Sequence, residues 1–511
     1  MTLTTLQPGR IEAAAAAAPS ARLMNAAAVL LEGHDAHSTA LVCHCGDELS
    51  YGELRERVAR SAACWRAHGV MPGDRVAIKL PDSADWVVAF LASIWCGAVA
   101  VGVNPQVPSA DWHYILGESD FKLIVVDADE SGEGDTAQPW RSRLLTRAAW
   151  RAVLAHCAAL PPQPMDEDAP AVWCHSSGTS GKSKAVVHAH RFARRIEQVS
   201  REGLGLRPGD RLFASSRLFF SYPQTNALYA GLKLGLTIIL DSRWPTAQSV
   251  AATVAAQRPS VLFSVPSLYR NMLHAGLAPG IAEAGVRLCV SAGEALPASL
   301  REAWREHTGL TIVNGYGASE TLVLVMIDHG DGFAPSPGIQ IQSACDVAAG
   351  QPTRLLIRAP TLAIGYFDRP QAQSEHFRDG AFCPADLFAR DAGSAWRFAG
   401  REDSLVKIRG RWVNLVELEE RMARQAPGIA EGAAVCVPDA DGVDAVAFYY
   451  VASDSAAVEA TLRATVDAMP PHQRPRWLRC IDALPRTATG KLLRRRLQEL
   501  HLQQGLEPVK P

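Results

Sequence analysis

The chain has 511 residues, is 48% hydrophobic and 20% charged, and carries a net charge of −2. That length exceeds one ordinary domain, so two or more are expected. The composition is that of a globular protein, and so small a net charge gives no electrostatic case for binding nucleic acid or an anionic membrane.

The start, Ile11-Glu12 followed by six alanines, is too short and uncharged for a signal peptide. A frayed N-terminus and a cytoplasmic protein are expected. The eleven cysteines are scattered and read as reduced, mostly buried thiols. Cys43 and Cys45 form the one close pair and lack further ligands at metal-site spacing.

In chain order, residues 49–127 predict helix Tyr51–His68, strand Arg75–Lys79, helix Ser83–Cys96, strand Ala98–Val103 and strand Leu123–Val126. Val87–Val103 falls short of a membrane span, and Cys96, Gly97 and Gly102 suggest a buried helix followed by a strand. Pro161–Pro170 is a connector. Apolar runs at Leu212–Ser215, Thr237–Leu240, Val261–Val265, Val286–Ser291 and Thr311–Asn314 then alternate with helical stretches at Asn226–Leu234, Thr246–Gln257, Pro266–His274 and Pro297–His307. Such alternation builds parallel sheets covered by helices. After Asp379–Arg411, dense in charge and aromatics, comes a smaller α+β pattern: helix Leu415–Gln425, strands Ala433–Val437 and Ala445–Val451, helix Val458–Met469 and a basic helix Leu492–Leu500. The fold class is therefore α/β. A large N-terminal domain of parallel-rich sheets spans residues 1–402, and a small mobile α+β domain spans 403–511.

The loop Ser176-Ser177-Gly178-Thr179-Ser180-Gly181-Lys182-Ser183-Lys184 lies between two strand-like runs, Ala171–Cys174 and Ala185–His188. Glycines free backbone N–H groups to face a guest, and hydroxyls and ammoniums add donors, which is the chemistry of a polyphosphate cradle. The spacing is not that of a Walker A loop, which needs four residues between its first glycine and the Gly-Lys pair. Here Thr179 and Ser180 alone separate Gly178 from Gly181.

Further motifs follow in order: Tyr316-Gly317-Ala318-Ser319-Glu320, Asp386, Gly400-Arg401-Glu402-Asp403, Lys407-Ile408-Arg409-Gly410 and Pro485-Arg486-Thr487-Ala488-Thr489-Gly490-Lys491. The series resembles the adenylate-forming superfamily of acyl-CoA synthetases, peptide-synthetase adenylation domains and luciferases. The resemblance implies ATP-dependent activation of a carboxylic acid to an acyl adenylate, with Mg²⁺, then transfer to the thiol of CoA. Ser177, Gly178, Thr179, Ser180, Gly181 and Lys184 would hold ATP phosphates, with Lys182 an extra cation. Gly293, Tyr316, Gly317 and Ser319 would frame the adenylate, Tyr316 stacking on adenine opposite Ser291-Ala292-Gly293. Glu320 would carry the Mg²⁺, Asp386 the ribose hydroxyls, and Arg401 ribose or phosphate oxygens. Lys491 would bridge the carboxylate and the α-phosphate, so that Lys491, Glu320 and Thr179 form the catalytic set. Asp403 resembles the hinge of the small domain and Gly410 the face that opens a thiol tunnel, with Arg409 and Arg411 near CoA phosphates.

Leu218-Phe219-Phe220-Ser221-Tyr222 with Asn226, Asp241–Pro245, Val103-Asn104-Pro105 and Gly410–Val413 resemble the benzoate and anthranilate CoA ligase branch. An aromatic slot favours an aryl ring. Its implied lining is Phe220, Tyr222, Ala292, Gly315, Ala318 and Val323. The chain departs from the usual pattern in placing Ser183 for proline, Pro384-Ala385 for Thr-Gly, Pro223–Thr225 for small residues, and Val323, or its neighbour Leu322 or Leu324, for a polar histidine. The last change favours unsubstituted or apolar-substituted rings. Two alternatives carry the same motifs: transfer to a carrier-protein phosphopantetheine, and a nucleotide-binding protein that has lost catalysis. A monomer or homodimer is expected.

Overall fold

The computed structural model describes residues 22–128, 140–176, 183–390, 395–408, 410–426, 428–439, 442–452, 454–486 and 492–504. Among them two large sheets, of seven and nine strands, build the N-terminal part. The seven-stranded sheet runs in the order Gly365–Tyr366, Lys184–Ala189, Pro170–Ser176, Val99–Gly102, Arg75–Lys79, Phe121–Val126, Leu144–Thr146. It is parallel from Pro170–Ser176 onward and antiparallel at the hairpin Pro170–Ser176/Lys184–Ala189, where Ser176 pairs with Lys184.

In the nine-stranded sheet the parallel centre runs Ile312–Gly317, Leu288–Ser291, Val261–Ser264, Arg211–Ala214, Thr237–Leu240, Thr39–Cys43. Its strands are continuous apolar runs because both faces are covered. Phe263 and Val290 pack into the main core, whereas Leu262, Cys289 and Ile312 face the helices Ala247–Gln257, Pro266–His274 and Ala298–Thr308.

Helix Ala84–Trp95 is buried on every side, which is why its sequence is apolar all round. Ser83 caps it by accepting from the Trp86 N–H, and Gly97, at φ +79, turns the chain into strand Val99–Gly102. Among the described residues no helix is long and apolar enough to cross a membrane.

A third, six-stranded antiparallel sheet occupies Gln340–Arg401 and includes Thr353–Arg358, Asp386–Ala389 and Arg397–Arg401. The sequence reading gave this region no sheet. Thr353–Arg358 buries every second residue, as a one-sided strand does. The helix read at Asn226–Leu234 begins earlier, at Ser221, and includes a π-turn over Gln224–Tyr229.

After the one-turn helix Glu402–Ser404 comes the hairpin Leu405–Ile408/Arg411–Asn414, then helix Leu415–Gln425 and a three-stranded sheet of Ile429–Pro438, Asp444–Ala452 and Trp477–Cys480. Along Asp444–Ala452, Val446, Phe448 and Tyr450 pack with Met422 and Leu462, while Ala447 and Tyr449 pack with Trp477 and Leu497 of helix Arg494–Gln504. This small part thus has a core on each face of its sheet.

Two buried histidines are expected to make the fold acid-sensitive. His188 and His190 have no exposed surface, and burial pushes both down to about 4. His190 Nδ1 accepts from the Ala26 N–H at 3.0 Å, which docks helix Ala26–Leu31. A histidine held neutral in the fold binds fewer protons folded than unfolded, so stability is full above its ordinary pKa and falls as pH drops toward 4. The unfolding free energy from urea titration is expected to fall between pH 7 and pH 5, by on the order of 2 kcal/mol per histidine, and the urea midpoint with it. A midpoint unchanged across that interval would contradict it.

Candidate functional site

The C-terminal ends of parallel strands are where open α/β sheets present ligand groups. Strand Ile312–Gly317 ends there, and its continuation carries Ala318, Ser319 and Glu320. The Glu320 carbonyl accepts from Ala363 N–H at 2.9 Å, and the Thr321 carbonyl from Thr361 Oγ1 at 2.6 Å. Leu322 has φ +61. A branched residue in the left-handed region costs about 1–3 kcal/mol and persists only when its surroundings over-determine it. His188 Nε2 donates to the Ser319 carbonyl at 2.8 Å, a support the sequence did not single out.

Glu320 is 8% exposed. Its Oε1 accepts from the Tyr366 hydroxyl at 2.6 Å, and the Lys184 ammonium lies 5.2 Å from the Tyr366 ring centre. The structure therefore brings together two residues read from separate motifs, Lys184 and Glu320, through a tyrosine that carried no motif signal. The carboxylate has one oxygen tied to a neutral donor and, among the described residues, no ion pair. That donor chemistry fits a hard cation such as Mg²⁺. Its negative charge, after burial, helps push the nearby Cys174 thiol up to about 12.

Asp386 begins strand Asp386–Ala389 and pairs in register with Arg401. Its Oδ2 accepts from the Tyr316 hydroxyl at 2.7 Å and its Oδ1 from Arg401 Nη1 at 2.9 Å. Burial first, then the Asp386 charge, raises the Tyr316 phenol, so it stays a donor. The Tyr316 ring packs edge-on against Phe388 at 4.7 Å. Tyr316, Asp386 and Arg401 thus form one unit despite the Pro384-Ala385 turn.

In the segment expected to line the acid, Phe219 is buried and Phe220 half-buried, their ring centres 4.2 Å apart. The Tyr222 hydroxyl donates to the Val290 carbonyl at 3.1 Å, and its ring meets Phe263 edge-on. Ser221 Oγ lies 3.2 Å from Ser319 Oγ, joining this segment to the Glu320 loop. Ala292 and Val323 are buried and Ala318 half-buried.

The glycines divide into two kinds. Gly293, at φ +86, has open space where a Cβ would stand. At Gly315 a Cβ would lie 2.5 Å from Leu324 Cδ1, and at Gly317 2.7 Å from the Val323 carbonyl oxygen. Gly315 and Gly317 therefore have a packing reason in the pairing of Ile312–Gly317 with Leu324–Asp328.

Ser177, Gly178, Thr179, Ser180, Gly181 and Lys182 lie outside the described residues, as do Arg409 and Lys491. The two ends of the 177–182 segment are anchored by helix Ser109–Glu118, which the sequence reading missed. Glu118 pairs with His175 Nε2 at 3.3 Å and with Arg369 Nη2 at 3.0 Å. Tyr114 donates to the Ser183 carbonyl at 3.4 Å. Asp403 sits in the Glu402–Ser404 turn, and Gly410, at φ +83 with open space around it, lies in the following hairpin turn.

The AMP-binding enzyme model matches residues 31–367, and the AMP-binding enzyme C-terminal domain model matches residues 417–491. The chain belongs to the AMP-binding enzyme family. Within this family it is 34% identical to a 3-hydroxybenzoate–CoA/4-hydroxybenzoate–CoA ligase of Thauera aromatica, over 90% of this chain and 94% of that protein. A benzoate CoA ligase from Burkholderia xenovorans LB400 superposes with TM-score 0.82 at 29% identity, covering 93% of this chain and 100% of that one. An anthranilate CoA ligase in complex with anthranoyl-AMP superposes with TM-score 0.84 at 25% identity, covering 95% and 98%. The family match and the two solved structures agree with the α/β reading of the fold.

Proposed function

We propose that this protein activates a benzoate-type aromatic acid with ATP and transfers the acyl group to the thiol of CoA. The observation that carries the reading is the pairing of two assemblies around one loop. Tyr316–Asp386–Arg401 offers polar groups suited to a ribose, and Lys184–Tyr366–Glu320 offers groups suited to a polyphosphate. The names of the relatives above support the aryl acid and the CoA acceptor.

In the first half-reaction a carboxylate oxygen of the acid attacks the α-phosphorus of ATP. The bond to the bridging oxygen breaks and pyrophosphate leaves. Like charges must be brought together, so catalysis is mostly positioning and charge neutralisation. Lys184 and the 177–182 segment hold the β- and γ-phosphates, Asp386 and Arg401 hold the ribose, and Phe220 and Tyr222 flank the aryl ring. A Mg²⁺ ion bound with ATP would be held by Glu320 and would neutralise phosphate charge. Lys491 bridges the carboxylate and the α-phosphate. In the second half-reaction the CoA sulfur attacks the acyl carbon, its proton is lost, and AMP leaves as the C–O bond breaks. For this step the small domain, residues 403–511, turns about Asp403 and presents Gly410 in place of Lys491.

Pyrophosphate release with a panel of acids tests the reading. Benzoate-like acids are expected to outcompete hexanoate and octanoate, and a fatty acid with the highest kcat/KM would refute the aryl assignment. Within the aryl acids, buried Val323 leaves a ring hydroxyl pointing at it unpaired, at about 1–3 kcal/mol, or roughly ten- to a hundredfold in specificity. Val323→His is expected to narrow the gap between benzoate and such hydroxybenzoates. An unchanged ratio would place the ring elsewhere.

A further inference from the structure

We propose that Tyr366 is a positioning residue for adenylation: its hydroxyl biases Glu320 toward one-oxygen coordination of the divalent cation, while its ring seats the Lys184 ammonium. The proposal rests on reading Glu320 as the cation's carboxylate. Tyr366 lies in the two-residue strand Gly365–Tyr366, which adds to the edge of the hairpin carrying Lys184. Val186 pairs with Tyr366, and Lys184, two residues before it, shares its face by the period of a strand. The ring therefore lies beneath the ammonium.

The phenol is held from several sides. Tyr366 is 7% exposed. Its backbone N–H donates to Gln373 Oε1 at 2.9 Å, and its ring meets Phe377 edge-on at 5.4 Å. Gly365, at φ +151, lets the Gln373 amide come close, and a Cβ there would displace the group that accepts from the Tyr366 N–H. A phenol is ordinarily protonated at neutral pH, and this one donates to Glu320 Oε1 at 2.6 Å.

The coordination consequence follows from the donor set. With Oε1 accepting from the hydroxyl, Glu320 offers a cation its other oxygen most freely, and chelation through both oxygens would have to compete with that hydrogen bond. Mg²⁺ demands a compact octahedral shell, whereas Ca²⁺ takes more oxygens and readily accepts bidentate carboxylates. A carboxylate capped on one side therefore favours the smaller ion.

Tyr366→Phe removes the hydroxyl and keeps the ring. Calorimetric binding of Mg²⁺–ATP and of Ca²⁺–ATP to the full chain is the test, with Glu320→Gln as the reference variant. Tyr366→Phe is expected to weaken Mg²⁺–ATP binding roughly tenfold, the scale of a lost partner behind a metal ligand, and Ca²⁺–ATP binding much less, so that discrimination narrows. Tyr366→Leu, which also removes the ring, is expected to weaken ATP binding about threefold further through Lys184. A parallel tenfold fall for both cations in Tyr366→Phe would mark a general loss of packing and overturn the proposal. Weakening in Glu320→Gln with none in Tyr366→Phe would overturn it while leaving Glu320 as the cation's ligand. No change in either variant would overturn both.

Discussion

Lys491→Ala is expected to abolish adenylate formation while leaving thioester formation from supplied acyl-AMP close to wild type. A carboxylate approaching a polyphosphate builds negative charge between two groups that already repel, and a single ammonium there is worth most at the transition state. Removing one such donor costs roughly 2–4 kcal/mol, or about thirty- to a thousandfold in rate. Lysine suits a residue that arrives and departs, because it is a compact point charge on a flexible stem. The second half-reaction builds no charge at that position. Pyrophosphate release and thioester formation from synthetic acyl-AMP measure the two halves separately, and equal damage to both would remove this role from Lys491.

Asp403→Pro is expected to give the opposite pattern. Asp403 lies in the single turn Glu402–Ser404, between strand Arg397–Arg401 and the hairpin that carries Gly410. Proline fixes φ and removes a backbone donor, so a rotation centred there should stop. Acyl-AMP should still form, since the geometry for that step needs no rotation. Thioester formation should fall on the order of a hundredfold, the cost of a misplaced reacting group. Normal thioester turnover in this variant would move the hinge elsewhere. Together the two variants separate the half-reactions from opposite sides.

Much of the large domain was legible in the sequence for a physical reason. Strands buried on both faces are short unbroken apolar runs, and Arg75–Lys79 and Thr237–Leu240 appear with the expected bounds. Helices with clear stops, such as Pro266–His274 and Leu415–Gln425, also match. The antiparallel sheet of Gln340–Arg401 was not legible. Two of its six strands have only two residues, and its longest alternates buried and half-buried positions. Such segments are fixed by their neighbours rather than by their own composition.

Motif residues Glu320, Tyr316, Asp386 and Arg401 could be named because their chemistry comes in recognisable strings. Tyr366, His188 and Glu118 could not, because each acts through contacts to residues at least 46 positions away in the chain, which no local string records. The Gln224–Tyr229 π-turn has no composition signal of its own.

The close approach at Gly315 and Gly317 bears on how substrate range can diverge in this lineage. Because neither position admits a Cβ, the path of the two strands they join is constrained against drift by the contacts to Leu324 and Val323. Tyr316 and Glu320 ride on that same path. Ala318, half-buried, and Val323, buried, lie on the same connection and carry side chains rather than a bare Cα. On the function proposed above, substitutions at Ala318 and Val323 would alter the acid pocket while Tyr316 and Glu320 keep their places. A rigid hairpin of this kind separates what must stay constant from what is free to vary.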